Sequence, residues 1–194
     1  MPLIDLLNHH HRGAPYRIDA GVMVIDTAQA AADGECFAHY GHRRDALDLA
    51  LQYGYVDAST PFAHSAPLTI ELEGVGYLRV EQQQQRKPMH PLDPPRVALE
   101  ENGLRLSHLC CHRDHPERVR LMLRLALQGS LQRRGHGQQE AQRLAHQGLE
   151  ALAAANIRLL EQLVAAAAAS DHPGGAVLVE AARRQAANLA SVLV

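Results

Sequence analysis

The stretch that decides the fold is DGECFAHYGHRRDALDLALQYGY, residues 33–55. It begins with a turn pair, Asp-Gly, and the residues that follow alternate as those of a short strand do. A helix is predicted over 44–52, because leucine and alanine recur there at helical spacing and Gly54 is a typical helix terminator. The stretch therefore predicts a strand and one short helix, with Tyr40 and Tyr53 bracketing the helix.

Further motifs precede and follow this helix in a definite order. An apolar run ends in Asn8 and His9, and later a Gly-Glu pair opens the strand that leads to Tyr40. After the helix comes a Tyr-Gly-Tyr segment from Tyr53 to Tyr55. In this order the motifs resemble the C-terminal half of a SET domain, the catalytic fold of protein-lysine methyltransferases. The most similar subgroup is the one that includes the Rubisco large-subunit methyltransferase.

The resemblance implies an S-adenosylmethionine-dependent protein-lysine N-methyltransferase. It assigns Asn8 and His9 to binding of the methyl donor and Tyr40 to the catalytic inner end of the lysine channel. It assigns Tyr53 and Tyr55 to substrate binding beside that channel. The implied cofactor is S-adenosylmethionine without a metal, and the implied partner is a protein that presents a lysine.

Tyrosines suit this chemistry on physical grounds. Methyl transfer requires the amine to be aligned with the sulfonium methyl group while water is excluded. Aromatic rings accept the alkyl stem of lysine and stabilise the cationic product, and a tyrosine hydroxyl can orient the amine. The alternative interpretation of each tyrosine is a residue at the boundary of the core.

The resemblance also predicts the domain organisation. We expect an α+β protein, with a C-terminal part of a SET-like domain at 1–57 and a linker rich in Ser, Thr, Pro and Ala at 58–67. A mostly helical domain, similar to the substrate-binding domain of that subgroup, is expected at 68–194. The N-terminal half of the SET fold, with its Gly-x-Gly strand, is absent upstream of Asn8. The chain is therefore expected to be a fragment, a sequence with a late-assigned start, or an incomplete remnant that self-associates. The alternative function is a non-catalytic protein-interaction module derived from such an enzyme.

Local patterns predict the remaining elements. A hairpin is expected around Ala20-Gly21 after a loop at 12–15, and Asn102-Gly103 predicts another hairpin. Alternation predicts a strand at 68–73 and permits a second at 76–82. Three helices that form an antiparallel bundle are expected in the last part of the chain. The first is predicted to begin at the capping box of Asp114 and Glu117, with Pro116 in its first turn. The second and third are predicted at 138–170 and at 176–194.

Composition narrows the class of protein. The hydrophobic fraction of 46% and the charged fraction of 21% are typical of a globular protein. A net charge of −2 provides no overall attraction for nucleic acid or an anionic membrane. The longest apolar run, 163–169, is too short to span a bilayer. Three cysteines and the lack of a basic leader favour a soluble protein with reduced thiols in the cytoplasm.

Two histidine-containing segments superficially suggest metal binding. The triplet at 9–11 contains three imidazoles, but adjacent histidines rarely point toward one ion. Cys110-Cys111-His112 has two thiols that face opposite sides of a strand, and no second Cys-x-x-Cys pair exists. Buried thiols and a site without a resident metal are the favoured interpretations.

Overall fold

The computed structural model describes residues 7–25, 37–39, 44–81 and 94–193. Four helices and three small sheets in these ranges confirm the α+β class. In chain order the elements are β1 (Asn8–Asp19), β2 (Val22–Ile25), β3 (Phe37–His39), α1 (Ala46–Tyr53), β4 (Phe62–His64), β5 (Leu68–Leu72), β6 (Gly76–Val80), β7 (Val97–Glu100), β8 (Gly103–Leu106), β9 (Cys110–His112), α2 (Pro116–Arg133), α3 (Gln138–Ala168) and α4 (Gly175–Leu193).

The first sheet has the order β2-β1-β3. Its hairpin is confirmed: Ala20 and Gly21 have φ values of 48° and 79°, and a two-residue type I′ turn requires both to be positive. β3 pairs with β1 in the parallel sense along the other edge. The prediction of a loop at 12–15 is wrong, because the main chain there belongs to β1 and pairs with residues that are remote in sequence.

The largest sheet has the order β5-β6-β8-β7, and β6 runs parallel to β8. The antiparallel pairs β5–β6 and β7–β8 confirm the strand and hairpin predictions for these segments. The hairpin motif predicts Gly103 in the turn, but Gly103 is the first residue of β8. A Cβ atom at Gly103 would lie 2.5 Å from the ring and main-chain oxygen of Tyr77. Glycine is therefore needed there for the close approach of β6 and β8.

A third, two-stranded sheet pairs β4 with β9 in the antiparallel sense. β4 lies inside the segment 58–67, so the prediction of an irregular loop for that whole segment is wrong. The strand has three residues, and its partner is far along the chain, so its local sequence carries little strand signal. The proposed domain boundary itself stays a prediction.

The three C-terminal helices pack against one another, and two of their starting points differ from the prediction. α2 starts after His115, with Pro116 in its first turn, and no side chain caps it. The predicted capping box with Asp114 is therefore wrong, because Asp114 precedes the N-cap residue. α4 starts at Gly175, one residue earlier than expected.

The main hydrophobic core lies between the largest sheet and the helices. Leu78 and Leu104 are fully buried on the sheet, and Leu123, Leu144 and Leu189 are buried on α2, α3 and α4. Of the described helices, α3 is the one whose length and composition would allow it to cross a membrane. Its buried face packs against α2, α4 and β5.

Asn156 ties the centre of α3 to the loop that follows β4. This side chain is 1% exposed. Its Oδ1 accepts a hydrogen bond from the main-chain N–H of Ala66 at 2.9 Å, and its Nδ2 donates to Ser65 Oγ and to Leu152 O. A buried amide with all these partners fixes the position of α3 relative to β4.

Asp45 ties α1 to two more elements. It is the N-cap residue of α1, where Oδ1 accepts from the main-chain N–H of Asp48 at 2.8 Å. Its Oδ2 accepts from the main-chain N–H of His64 on β4 at 3.0 Å and from Nε2 of Gln185 on α4 at 2.5 Å. The same Gln185 amide donates to the main-chain oxygen of His64 at 2.8 Å. α1, β4 and α4 therefore meet at one carboxylate.

Two leucines on α2 provide a direct test of which face of that helix is buried. Leu127 is 1% exposed and Leu125 is 56% exposed. Leu127→Ala should lower the free energy of unfolding by about 2–5 kcal/mol, because it removes buried methyl groups and leaves a cavity. Leu125→Ala, the matched control, should change that free energy by less than about 0.5 kcal/mol. Urea unfolding measures both, and equal effects would contradict the packing of α2.

Candidate functional site

Three of the residues assigned by the resemblance lie together. The ring centroids of His9 and Tyr55 are 6.3 Å apart, and those of Tyr53 and Tyr55 are 6.4 Å apart. His9 is 8% exposed, Tyr55 is half-buried and Tyr53 is 46% exposed. The three rings therefore form a row from the interior to the surface, which we call the aromatic row.

Two elements of backbone structure create the aromatic row. β1 pairs with β3 at its start, where His9 lies opposite the fully buried Ala38. α1 ends after Tyr53, where Gly54 adopts the left-handed conformation with φ of 73° and donates its N–H to Ala50 O. This turn reverses the chain so that Tyr55 returns toward His9.

The two other assigned residues are not part of the aromatic row as described. Asn8 is exposed, and as the neighbour of His9 on a strand it projects from the opposite face. Tyr40, the assigned catalytic residue, lies outside the described residues. The structure therefore brings together His9, Tyr53 and Tyr55.

Asp57 is a site residue that sequence reasoning missed. Its Oδ2 lies 3.7 Å from Nε2 of His9, and its Oδ1 accepts hydrogen bonds from the main-chain N–H of Ser59 at 2.8 Å and from the Ser59 hydroxyl. Burial raises the pKa of Asp57, but the Ser59 hydrogen bonds and the nearby His9 and His10 outweigh it, so the pKa lies below its usual value. The carboxylate therefore lies beside the His9 ring, at a distance longer than a hydrogen bond. An aspartate in a Ser- and Thr-rich segment resembles an ordinary turn residue, so the sequence provided no signal.

A cavity of about 270 Å³ lies beside Asp57, which is one of its lining residues. α1, the segment after it, the residue that follows β9 and α4 contribute to its wall. The polar and charged groups that line it are Asp57, Thr60, Arg113, Arg184, Asn188 and Ser191. It is therefore a polar recess with two guanidinium groups, next to the carboxylate that contacts His9.

The histidine- and cysteine-containing segments have separate environments. Cys110 and Cys111 are buried free thiols, as expected, and burial together with the neighbouring Cys110 raises the pKa of Cys111 well above its usual value. The His112 ring contacts Phe62 edge-on, with centroids 5.0 Å apart. The ring of His10 lies 5.5 Å from that of Phe37, so His10 packs against β3.

Comparisons of this chain with protein-family models, curated proteins and solved structures find no match. The resemblance to SET domains therefore stays a prediction from the sequence motifs.

The contact between Asp57 and His9 predicts a pH-dependent contribution to stability. Asp57→Asn should lower the free energy of unfolding by about 1–2 kcal/mol at pH 7, because it weakens charge-assisted hydrogen bonds. The folded pKa is depressed below 3.8, so this stability is present above that pH and is lost as the pH falls through the folded pKa. Urea unfolding at about pH 7, 5 and 3 measures the loss.

The matched control for this experiment is Asp114→Asn, at a side chain that is 55% exposed. It should change the free energy of unfolding by less than about 0.5 kcal/mol at each pH. A difference between the parent protein and Asp57→Asn that stays constant between pH 7 and pH 3 would show that the charge of Asp57 contributes nothing.

Proposed function

We propose that this chain is the C-terminal part of a SET-type protein-lysine N-methyltransferase that uses S-adenosylmethionine. The observation that supports the proposal is the aromatic row. The motif that contains His9 and the motif that contains Tyr53 and Tyr55 are far apart in sequence, and their rings are neighbours in the fold. The family arrangement requires such proximity between donor and lysine sites.

In this proposal each ring has a defined task. His9, which lies beside Asp57, packs against the methyl donor. Tyr55 and Tyr53 border the lysine channel, where their faces attract the cationic ammonium product. The exposed position of Tyr53 suits the channel mouth, and the half-buried position of Tyr55 suits its interior. Tyr40 is assigned by resemblance to the inner end of the channel.

The polar cavity beside Asp57 suits the charged end of the donor. Arg113 and Arg184 both line it, and a guanidinium group can bind a carboxylate through two parallel hydrogen bonds. The methionine part of S-adenosylmethionine carries a carboxylate. We assign that carboxylate to this cavity, which leaves the sulfonium group on the side of Asp57 and His9.

The helices α2, α3 and α4 take the role of the domain that holds the protein substrate. On α2, Leu121 and Leu125 are 46% and 56% exposed and lie one helical turn apart, so they form a small apolar surface. The same surface favours the alternative function, a non-catalytic protein-interaction module. Binding of the methyl donor distinguishes the two functions.

The experiment is calorimetric titration of the purified 194-residue chain with S-adenosylmethionine. Saturable binding is expected, and His9→Ala should weaken it by about tenfold or more, because it removes a contact to the donor. The role that the resemblance assigns to Asn8 implies that Asn8→Ala should weaken it as well. His146→Ala is the control, since this side chain is 67% exposed on α3 and should leave the affinity unchanged.

Circular dichroism verifies that each variant is folded. If His9→Ala unfolds because His9 is buried, the exposed Asn8→Ala decides the question. An absence of binding at millimolar donor would refute the enzymatic function for this chain and favour the interaction module. Binding that neither variant weakens would place the donor elsewhere.

A further inference from the structure

A second cluster of ionisable side chains consists of Asp45, Asp48 and His64. None of these residues belongs to the aromatic row. One ligand atom of each lies within 4.8 Å of those of the other two. Asp45 is 3% exposed, and Asp48 and His64 are half-buried. Two carboxylates from the first turn of α1 and an imidazole from β4 therefore converge on one point.

Two buried atoms at this point have no hydrogen-bond partner among the described residues. They are Nε2 of His64 and Oε1 of Gln185. Gln185 is 2% exposed, and the nitrogen of the same amide donates to Oδ2 of Asp45 at 2.5 Å. A buried polar atom without a partner is unfavourable. Two such atoms beside a pair of carboxylates indicate that a ligand belongs to the cluster.

The arrangement of charges in the cluster favours a cation. The carboxylate oxygens of Asp45 and Asp48 and an imidazole nitrogen of His64 lie within 4.8 Å of one another. A cation at this point would offset the repulsion between the two negative charges.

We propose that Asp45, Asp48 and His64 bind one divalent transition-metal ion, and that Zn²⁺ fits the site best. Carboxylate oxygens and an imidazole nitrogen are characteristic ligands of Zn²⁺ in proteins. Mg²⁺ and Ca²⁺ prefer oxygen ligands throughout and more of them. The unpartnered Oε1 of Gln185 provides a polar neighbour for the ion, and the Asp45 contact with Gln185 Nε2 holds that amide in place.

The ion would have a structural role. Its ligands come from the start of α1 and from β4, and Gln185 belongs to α4. An apolar cluster around Ala46, Ala50 and Ala181 already joins α1 to α4. A metal at their junction would stabilise the folded protein according to its affinity and concentration. This inference does not depend on the methyltransferase proposal.

The first experiment uses the full chain, with any affinity tag removed and metals extracted by a chelator. Titration with Zn²⁺ against a chromophoric competitor measures affinity and stoichiometry. One equivalent should bind saturably and raise the midpoint of thermal unfolding, and chelator should reverse the increase. Asp48→Asn and His64→Asn should each weaken binding by about tenfold or more, because each removes a ligand.

Two controls distinguish this cluster from the other candidate ligands. His10→Asn alters the histidine triplet, and Asp114→Asn alters an exposed carboxylate outside the cluster; both should bind Zn²⁺ as the parent protein does. No saturable binding would overturn the proposal and leave a hydrogen-bonded structural network. Equal affinity in Asp48→Asn, His64→Asn and the parent protein would also overturn it.

X-ray absorption of the zinc-loaded parent protein provides a test that needs no variant. Scattering from one imidazole together with oxygen ligands is expected. Two or more imidazoles per zinc would overturn the proposal by placing the ion at the histidine triplet. Scattering from sulfur in place of the imidazole would also overturn it. This measurement decides the matter even if Asp48→Asn or His64→Asn fails to fold.

Discussion

The carboxylate of Asp45 is the interaction on which the arrangement of α1 depends. A buried carboxylate is tolerated when hydrogen bonds replace its lost hydration. Asp45 receives them from the start of α1, from the main chain of β4 and from Gln185 on α4. Three elements from different parts of the chain must therefore be positioned before all of these bonds can form.

The geometry of the candidate site depends on this junction of α1, β4 and α4. α1 starts at the Asp45 cap and ends at Tyr53 and Gly54, so the same helix that Asp45 holds in place delivers Tyr55 to His9. The loop after α1 then contains Asp57, which contacts His9 and borders the polar cavity. A single short helix thus joins the acidic cluster at one end to the aromatic row at the other. The two proposals concern opposite ends of that helix.

Elements with local signals were predicted well. The Ala20-Gly21 hairpin, the strand near 68–73, the Asn102-Gly103 hairpin and the three C-terminal helices each depend on turn residues or periodicity in a short window. Elements that depend on remote partners were missed. β4 is a short strand that exists because it pairs with β9, and residues 12–15 are extended because β1 pairs with β3. Asp114 does not cap α2, because it precedes the N-cap residue, His115.

By itself the sequence determined the α+β class, the order of the motifs and the identity of the rings, since these follow from composition, spacing and residue type. The tertiary structure decided which of them meet. It placed Tyr53 and Tyr55 beside His9, brought Asp57 to His9, and assembled Asp45, Asp48, His64 and Gln185 around one point. No window of sequence contains those groups together. Their proximity results from long-range strand pairing and from the burial of α1 against α4, which are properties of the whole chain.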